Sequence, residues 1–302
     1  MDNVKSGIIL KGVGGFYDVL DTSAGVIYTC RVRGIHRKEG GKTPLPGDGV
    51  TFKVIDEKSL TGFIDEIGER KNAFVRPPVA NIDQLAVVVA VRSPEPDLSL
   101  VDKLLITCEA KNITPLILVN KVDLDEEGTA EAISRAYGKA GYRVIPLSKV
   151  LNTGYDELHQ QLKGCKTAFA GQSGVGKSTI LNMILNNWVM EIGEVSERIQ
   201  RGRHTTRHVQ LFELAVGGFV MDTPGFSSYA VSDIEHTELA YLYPEFRQVI
   251  GECRFTSCSH INEPGCRVRE LVEKGEADPG RYGRYIQYYR ELKEAYDNRY
   301  RR

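Results

Sequence analysis

The apolar positions change their rhythm partway along the chain. Residues 1–70 carry short β-rich runs at 7–13, 16–20, 25–32, 49–55 and 62–67. Gly14-Gly15, Gly40-Gly41 and Pro46-Gly47-Asp48-Gly49 punctuate them as turn signals. Five short strands in so little chain predict a small closed β-barrel, with an OB-fold as the leading form. Residues 71–82 contain Pro77-Pro78 and read as a linker, because a Pro pair continues neither a helix nor a central strand. Beyond it, apolar strands alternate with longer helical stretches. Strands are expected at 85–91, 115–119, 143–147, 167–170 and 216–221, and helices at 98–111, 126–140, 155–162 and 178–186. That alternation predicts a parallel sheet covered by helices on both faces.

Composition narrows the class without naming a chemistry. The chain has 302 residues, enough for about two domains, and its 41% hydrophobic and 26% charged residues are those of an ordinary globular protein. A net charge of -1 excludes a uniformly basic nucleic-acid binder and leaves room for local basic patches. One such patch is the loop 33–47, where Arg33, His36, Arg37, Lys38 and Lys42 face one acid, Glu39. It is a solvated loop or, on an OB-like barrel, a surface for RNA or single-stranded nucleic acid. The longest apolar run, 85–91, is too short to span a bilayer, and the first residues lack a signal-peptide plan. No membrane and no DNA are expected as partners, and the cytoplasm is the expected compartment.

Chemistry enters with Gly171-Gln172-Ser173-Gly174-Val175-Gly176-Lys177-Ser178, between an expected strand and an expected helix. It fits the phosphate-binding pattern G-x-x-x-x-G-K-[ST]. Its backbone N–H groups and helix N-terminus suit phosphate oxygens, Lys177 suits the β- and γ-phosphates, and Ser178 suits Mg²⁺. Asn120-Lys121-Val122-Asp123 closes another strand and matches the guanine-reading N-K-x-D. Asp123 can accept from both N–H donors of the guanine edge, whereas adenine would leave it buried and unpaired. Ser148-Lys149 sits where a short base-contacting loop belongs, either as that loop or as a structural turn. The loop 201–208 holds Thr206, favoured as a Mg²⁺ and γ-phosphate ligand over Thr205, and His204. Asp222-Thr223-Pro224-Gly225 matches D-x-x-G, in which Asp222 holds a Mg²⁺-bound water and the Gly225 N–H meets the γ-phosphate. Phe226 follows where a water-orienting Gln stands in Ras-like proteins, so the intrinsic rate should be slow or another group must serve. His204 is the nearest catalytic candidate; its alternatives are a loop imidazole or an RNA contact. The order of these motifs, 120–123, 148, 171–178, 206 and 222–225, is a circular permutation of the usual GTPase order.

Near the end of the chain, Cys253, Cys258, His260 and Cys266 supply three thiols and one imidazole within 14 positions, a set that suits one structural Zn²⁺. From Arg281 onward, tyrosines and arginines interleave on an expected helix. This is either an RNA surface or a tyrosine stripe packed on the zinc module, and both can hold.

The order N-K-V-D, G-Q-S-G-V-G-K-S, G-R-H-T-T, D-T-P-G and C-x4-C-x-H-x5-C, behind a small barrel, resembles the ribosome small-subunit-dependent GTPase A family over essentially the whole chain. The resemblance implies an OB-fold at 1–70, a linker at 71–82, a circularly permuted α/β P-loop GTPase domain at 83–230, and a mainly α zinc-binding domain at 231–302. It implies nucleotide ligands from Asn120 to Asp123 and from Gly171 to Thr179, zinc on the four residues above, and His204 as the switch histidine. The implied function is late assembly of the small ribosomal subunit through its ribosomal RNA. GTP would be hydrolysed to GDP and phosphate, with Mg²⁺, when the particle stimulates it, by a protein expected to be a monomer. The rivals are an RNA-binding protein with GTP as a structural or regulatory ligand, and a GTPase serving another structured RNA.

Overall fold

The computed structural model describes residues 4–32, 42–188, 209–222 and 234–299, with the backbone alone at 186–188 and 222. The chain divides into two compact units, 1–84 with 159–169 and 178–226, and 85–158 with 170–177 and 227–302.

In the first unit, β1 (Val4–Val13), β2 (Phe16–Asp21), β3 (Ile27–Val32), β4 (Gly49–Asp56) and β5 (Thr61–Ile67) pair in the order β1-β2-β3-β5-β4. The pairing of β1 with β4 closes the ring. Only β3–β5 is parallel. Closure removes the exposed sheet edges and leaves one inward face per strand. That face is Ile9, Val19, Tyr28, Cys30, Val50, Phe52, Val54 and Ile64. The OB-like barrel expected from turn spacing is therefore present.

The stretch 71–82 is a packed hairpin rather than a loose connector. β6 (Ala73–Phe74) pairs with β7 (Val79–Ala80), and Pro77-Pro78 sits in the turn, where no ladder N–H is required. Two asparagines pin it. The Asn72 side chain exchanges two hydrogen bonds with the Ile82 backbone, and Asn81 accepts from the Lys71 N–H and donates to the Gly47 carbonyl. Val79 and Ala80 are fully buried. Beside this hairpin, Asp48 holds Arg70 through two contacts of 2.7 Å.

The same unit contains β11 (Lys166–Ala170), α4 (Lys177–Trp188), β12 (Gln210–Glu213) and β13 (Phe219–Asp222). β11 and β13 are parallel, and β12 and β13 form an antiparallel hairpin through the Leu214–Gly218 turn. β12 departs from the expected all-parallel sheet. Four residues carry too little alternation to register as a strand in the sequence. The turn also shortens the expected 216–221 strand, which starts at Phe219.

The second unit contains β8 (Gln84–Ala90) from Leu85 onward, α1 (Leu98–Ala110), β9 (Thr114–Asn120), α2 (Thr129–Lys139), β10 (Arg143–Leu147) and the start of α3 (Tyr155–Leu162), as far as Leu158. β8 is buried along its whole length, and β9 and β10 are parallel. A strand covered on both faces reads as a continuous apolar run, which is why 85–91 was legible. The remainder is mainly helical: α5 (Pro244–Arg247), α6 (Arg267–Glu273) and α7 (Pro279–Arg299). Leu239, Tyr243, Phe246, Val268, Tyr285 and Tyr288 are part of its core. α7 packs part of its tyrosine stripe into this core, one of the two readings that the sequence left open. Tyr285 and Tyr288 face inward, and Arg281 is 2% exposed. Its guanidinium binds Glu245 and Asp102 and lies 4.9 Å from the Tyr243 ring centre. A buried guanidinium needs paired carboxylates, and those carboxylates were distant in sequence.

Candidate functional site: the nucleotide loops and the zinc cluster

The phosphate loop is shaped by contacts within the second unit. Gly171 has φ +141°, and a Cβ there would lie 2.1 Å from the Val88 carbonyl oxygen. Gly176 has φ +99°, and a Cβ there would lie 2.3 Å from Asn120 Nδ2. Both positions therefore exclude side chains on two counts, backbone conformation and space. Asn120, 5% exposed, donates from Nδ2 to the Val175 carbonyl at 2.8 Å, tying the end of β9 to the loop. Lys177 spans the loop, its Nζ donating to the Gly171 and Gln172 carbonyls at 2.6 and 2.7 Å. Ser173, Gly174, Ser178 and Thr179 are exposed, as a ligand-facing rim requires, and Val175 is buried beneath.

The loop 120–123, expected to read the base, is built beside it. Lys121 takes the left-handed conformation, φ +63°, and a short 3₁₀ turn, Val122–Leu124, follows. That turn carries Asp123. Ser148 is fully buried and donates from Oγ to Asp123 Oδ1 at 2.6 Å, while its oxygen accepts from the Leu151 N–H at 3.0 Å. Ser148 thus fixes the carboxylate expected to read the base, and its contact with Leu151 is that of a structural turn. Lys121 Nζ donates to the Gly174 carbonyl at 2.9 Å and to the Ser93 carbonyl.

The four zinc candidates also come together. Their ligand atoms all lie within 4.8 Å of one another. His260 turns Nδ1 toward Cys253 and Cys266, at 3.6 and 3.5 Å from their sulfurs. Burial lowers the His260 pKa, which favours the neutral imidazole that a metal requires. Burial also pushes the Cys258 thiol up to about 12 and raises Cys266, so metal loading must displace protons. Glu263 organises the loop. Its carboxylate accepts from the Ser259 N–H and hydroxyl and from the Ile261 and Asn262 N–H groups. Burial pushes the Glu263 carboxyl up, yet these donors win and hold it at about 2. From α7, Tyr282 and Tyr285 donate to the His260 and Ser259 carbonyls at 2.7 and 2.8 Å.

His204, Thr205, Thr206, Gly225, Phe226 and the basic residues 33–38 lie outside the described residues. Asp222 ends β13, which places its backbone at a strand terminus. Lys42 is described and exposed.

Comparison with known proteins decides the class. A profile of the RsgA GTPase family matches residues 67–232, and one of the RsgA N-terminal domain matches 6–64. A protein of Ruminiclostridium cellulolyticum, named small ribosomal subunit biogenesis GTPase RsgA, is 56% identical over 96% of this chain and 95% of its own length. The chain belongs to the RsgA GTPase family. A Geobacillus kaustophilus protein of the same name is 45% identical over 96% of this chain and 98% of its own. Among solved structures, YloQ, described as a circularly permuted GTPase, superposes with TM-score 0.82 at 37% identity, over 96% of both chains. YjeQ from Thermotoga maritima gives 0.81 at 34% identity, over 96% of this chain and 98% of that one.

As an RsgA-family member the chain is a GTP hydrolase with a circularly permuted GTPase fold, and the site residues fit the ligands that this implies. The glycine cradle admits phosphate without a Cβ in the way, and an aspartate locked by a serine suits guanine. Three thiols and one imidazole in this compact set are compatible with tetrahedral zinc. Two contributors escaped the sequence reading. Glu263 had a weak signal, an acid between two ligands. Ser93 acts through its backbone carbonyl, which no side-chain pattern reveals.

Proposed function

We propose that this GTP hydrolase serves biogenesis of the small ribosomal subunit. It would bind that subunit through ribosomal RNA, hydrolyse GTP when stimulated by it, and act as a monomer in the cytoplasm. The observation that carries the reading is full-length identity of up to 56% to proteins named for that role. The Ser148–Asp123 contact supports guanine as the base. No helix among the described residues is long and apolar enough to cross a membrane.

In this reading residues 1–70 form the RNA-binding barrel, 83–230 the GTPase domain and 231–302 the zinc module. Asn120, Asp123 and Ser148 select guanine. Residues 171–179 hold the phosphates, with Lys177 neutralising the β- and γ-oxygens. Ser178, Thr206 and, through water, Asp222 would hold Mg²⁺, which would shield phosphate charge. The Gly225 N–H meets the γ-phosphate, and His204 orients the attacking water. Cys253, Cys258, His260 and Cys266 hold one structural Zn²⁺.

The test is GTP turnover with and without purified small ribosomal subunits, for the wild type and His204→Ala. Low turnover alone and a large rise with the subunit are expected. The rise should disappear in His204→Ala while subunit binding persists. No stimulation by intact subunits would overturn the ribosomal reading. Undiminished stimulation of His204→Ala would remove His204 from the chemistry.

A further inference from the structure

The first turn of α1 joins α7 on one side and the nucleotide loops on the other. Tyr288 Oη, on α7, donates to the Ser99 carbonyl at 2.7 Å and lies 2.7 Å from the Ser99 hydroxyl. One turn along α1, Asp102 is fully buried and accepts from both Arg281 and Arg284. Burial raises the Asp102 pKa against the pull of the two guanidiniums. At the head of the helix Asp97 caps the Leu100 N–H at 2.9 Å. Four residues earlier, the Ser93 carbonyl holds Lys121 Nζ, which also holds the Gly174 carbonyl. The short segment 93–102 therefore connects the base-reading lysine and the phosphate loop to a helix that also carries the zinc loop on Tyr282 and Tyr285.

The phosphate loop is not jammed against α1. Leu100, Val101 and Leu104 share a cavity of about 10 Å³ with Gly171, Gln172 and Val175. That is room for about one water. Gln172 Oε1 is buried with no hydrogen-bond partner among the described residues. A loop beside a void has freedom to shift, so what fixes the helix on the far side of that void bears on the loop.

We propose that Tyr288 and Arg284 are positioning residues for the guanine nucleotide. Through α1 they hold Ser93, and with it Lys121 and the phosphate loop, in the binding geometry. They thereby make nucleotide affinity depend on the zinc loop that α7 carries. The proposal rests on the nucleotide and zinc readings given above. Linkage requires the dependence to be reciprocal: zinc tightens the nucleotide by the factor by which the nucleotide tightens zinc.

The experiment measures release of a fluorescent GDP analogue from the wild type and from the Arg284→Gln, Tyr288→Phe double variant, both folded and carrying one zinc per chain. Release from the variant should be faster by about fivefold or more. Stripping zinc from the wild type with a chelator should speed release similarly, and it should add little in the variant. Excess GDP should slow zinc loss to the chelator in the wild type alone. A purely structural role would lower thermal stability and leave release from the folded variant unchanged, and that result overturns the proposal. So does equal acceleration by zinc removal in both proteins. Tyr288→Phe alone, which keeps the ring in the core, serves if the double variant does not fold. A wild-type chain that holds no zinc or binds no GDP analogue would overturn the site reading itself, and the proposal with it.

Discussion

Gly176 shows how one hydrogen atom decides a site. A methyl group there would lie 2.3 Å from the Asn120 amide, at a φ of +99° that side chains avoid. Gly176→Ala should therefore displace Asn120 and weaken guanine-nucleotide affinity by about 1–3 kcal/mol of strain, roughly 5- to 150-fold. Equilibrium titration with a fluorescent GDP analogue checks this, and unchanged affinity would contradict the geometry. Several such residues were legible in advance, because G-x-x-x-x-G-K-[ST] and N-K-x-D are local patterns whose chemistry is written in residue type and spacing. Ser148 was legible as a position, and its bond to Asp123 was not, since 25 residues separate them. Ser93 was not legible at all, because a backbone carbonyl has no sequence signature.

Elements were legible in proportion to their length and periodicity. β8 was plain from the apolar run 85–91, whereas β12, with four residues, was missed. The 71–82 hairpin was read as a linker because its prolines mark a turn while its strands have two residues each. The β1–β2 pair carries its own pH prediction. Asp21 is buried, which pushes its carboxyl up, yet hydrogen bonds from Ser23 and Lys5 hold it at about 2, against an ordinary 3.8. A depressed carboxylate stabilises the fold fully above the unfolded value and loses that contribution as pH falls through the folded one. Amide exchange in β1 and β2 should therefore accelerate as pH is lowered from about 4 toward 2, beyond the intrinsic pH dependence of exchange. Asp21→Asn should flatten that excess. The same excess in Asp21→Asn would assign the acid sensitivity elsewhere.

At the scale of the whole molecule, the buried charges of the C-terminal region matter more than any surface pair. Arg281 is 2% exposed and binds Asp102 and Glu245 from two other parts of the chain. Arg281→Met would strand Glu245 in the interior and leave Asp102 with Arg284 alone, and should cost about 3–5 kcal/mol, read as a lowered midpoint in denaturant. A loss below about 1 kcal/mol, the scale of an exposed pair, would show that water reaches them. The sequence by itself determined the class of the protein: a small barrel, a permuted set of nucleotide motifs and a compact Cys/His cluster. Each is encoded by local pattern and by order along the chain. Tertiary structure decided what the intervening residues do. It turned Tyr285, Tyr288 and Arg281 inward, made Glu263 the organiser of the Cys/His loop, and set α1 between α7 and the nucleotide loops. These outcomes depend on which distant residues share a buried, low-dielectric space, where every polar group must find a partner. Linear spacing does not say which partner that will be.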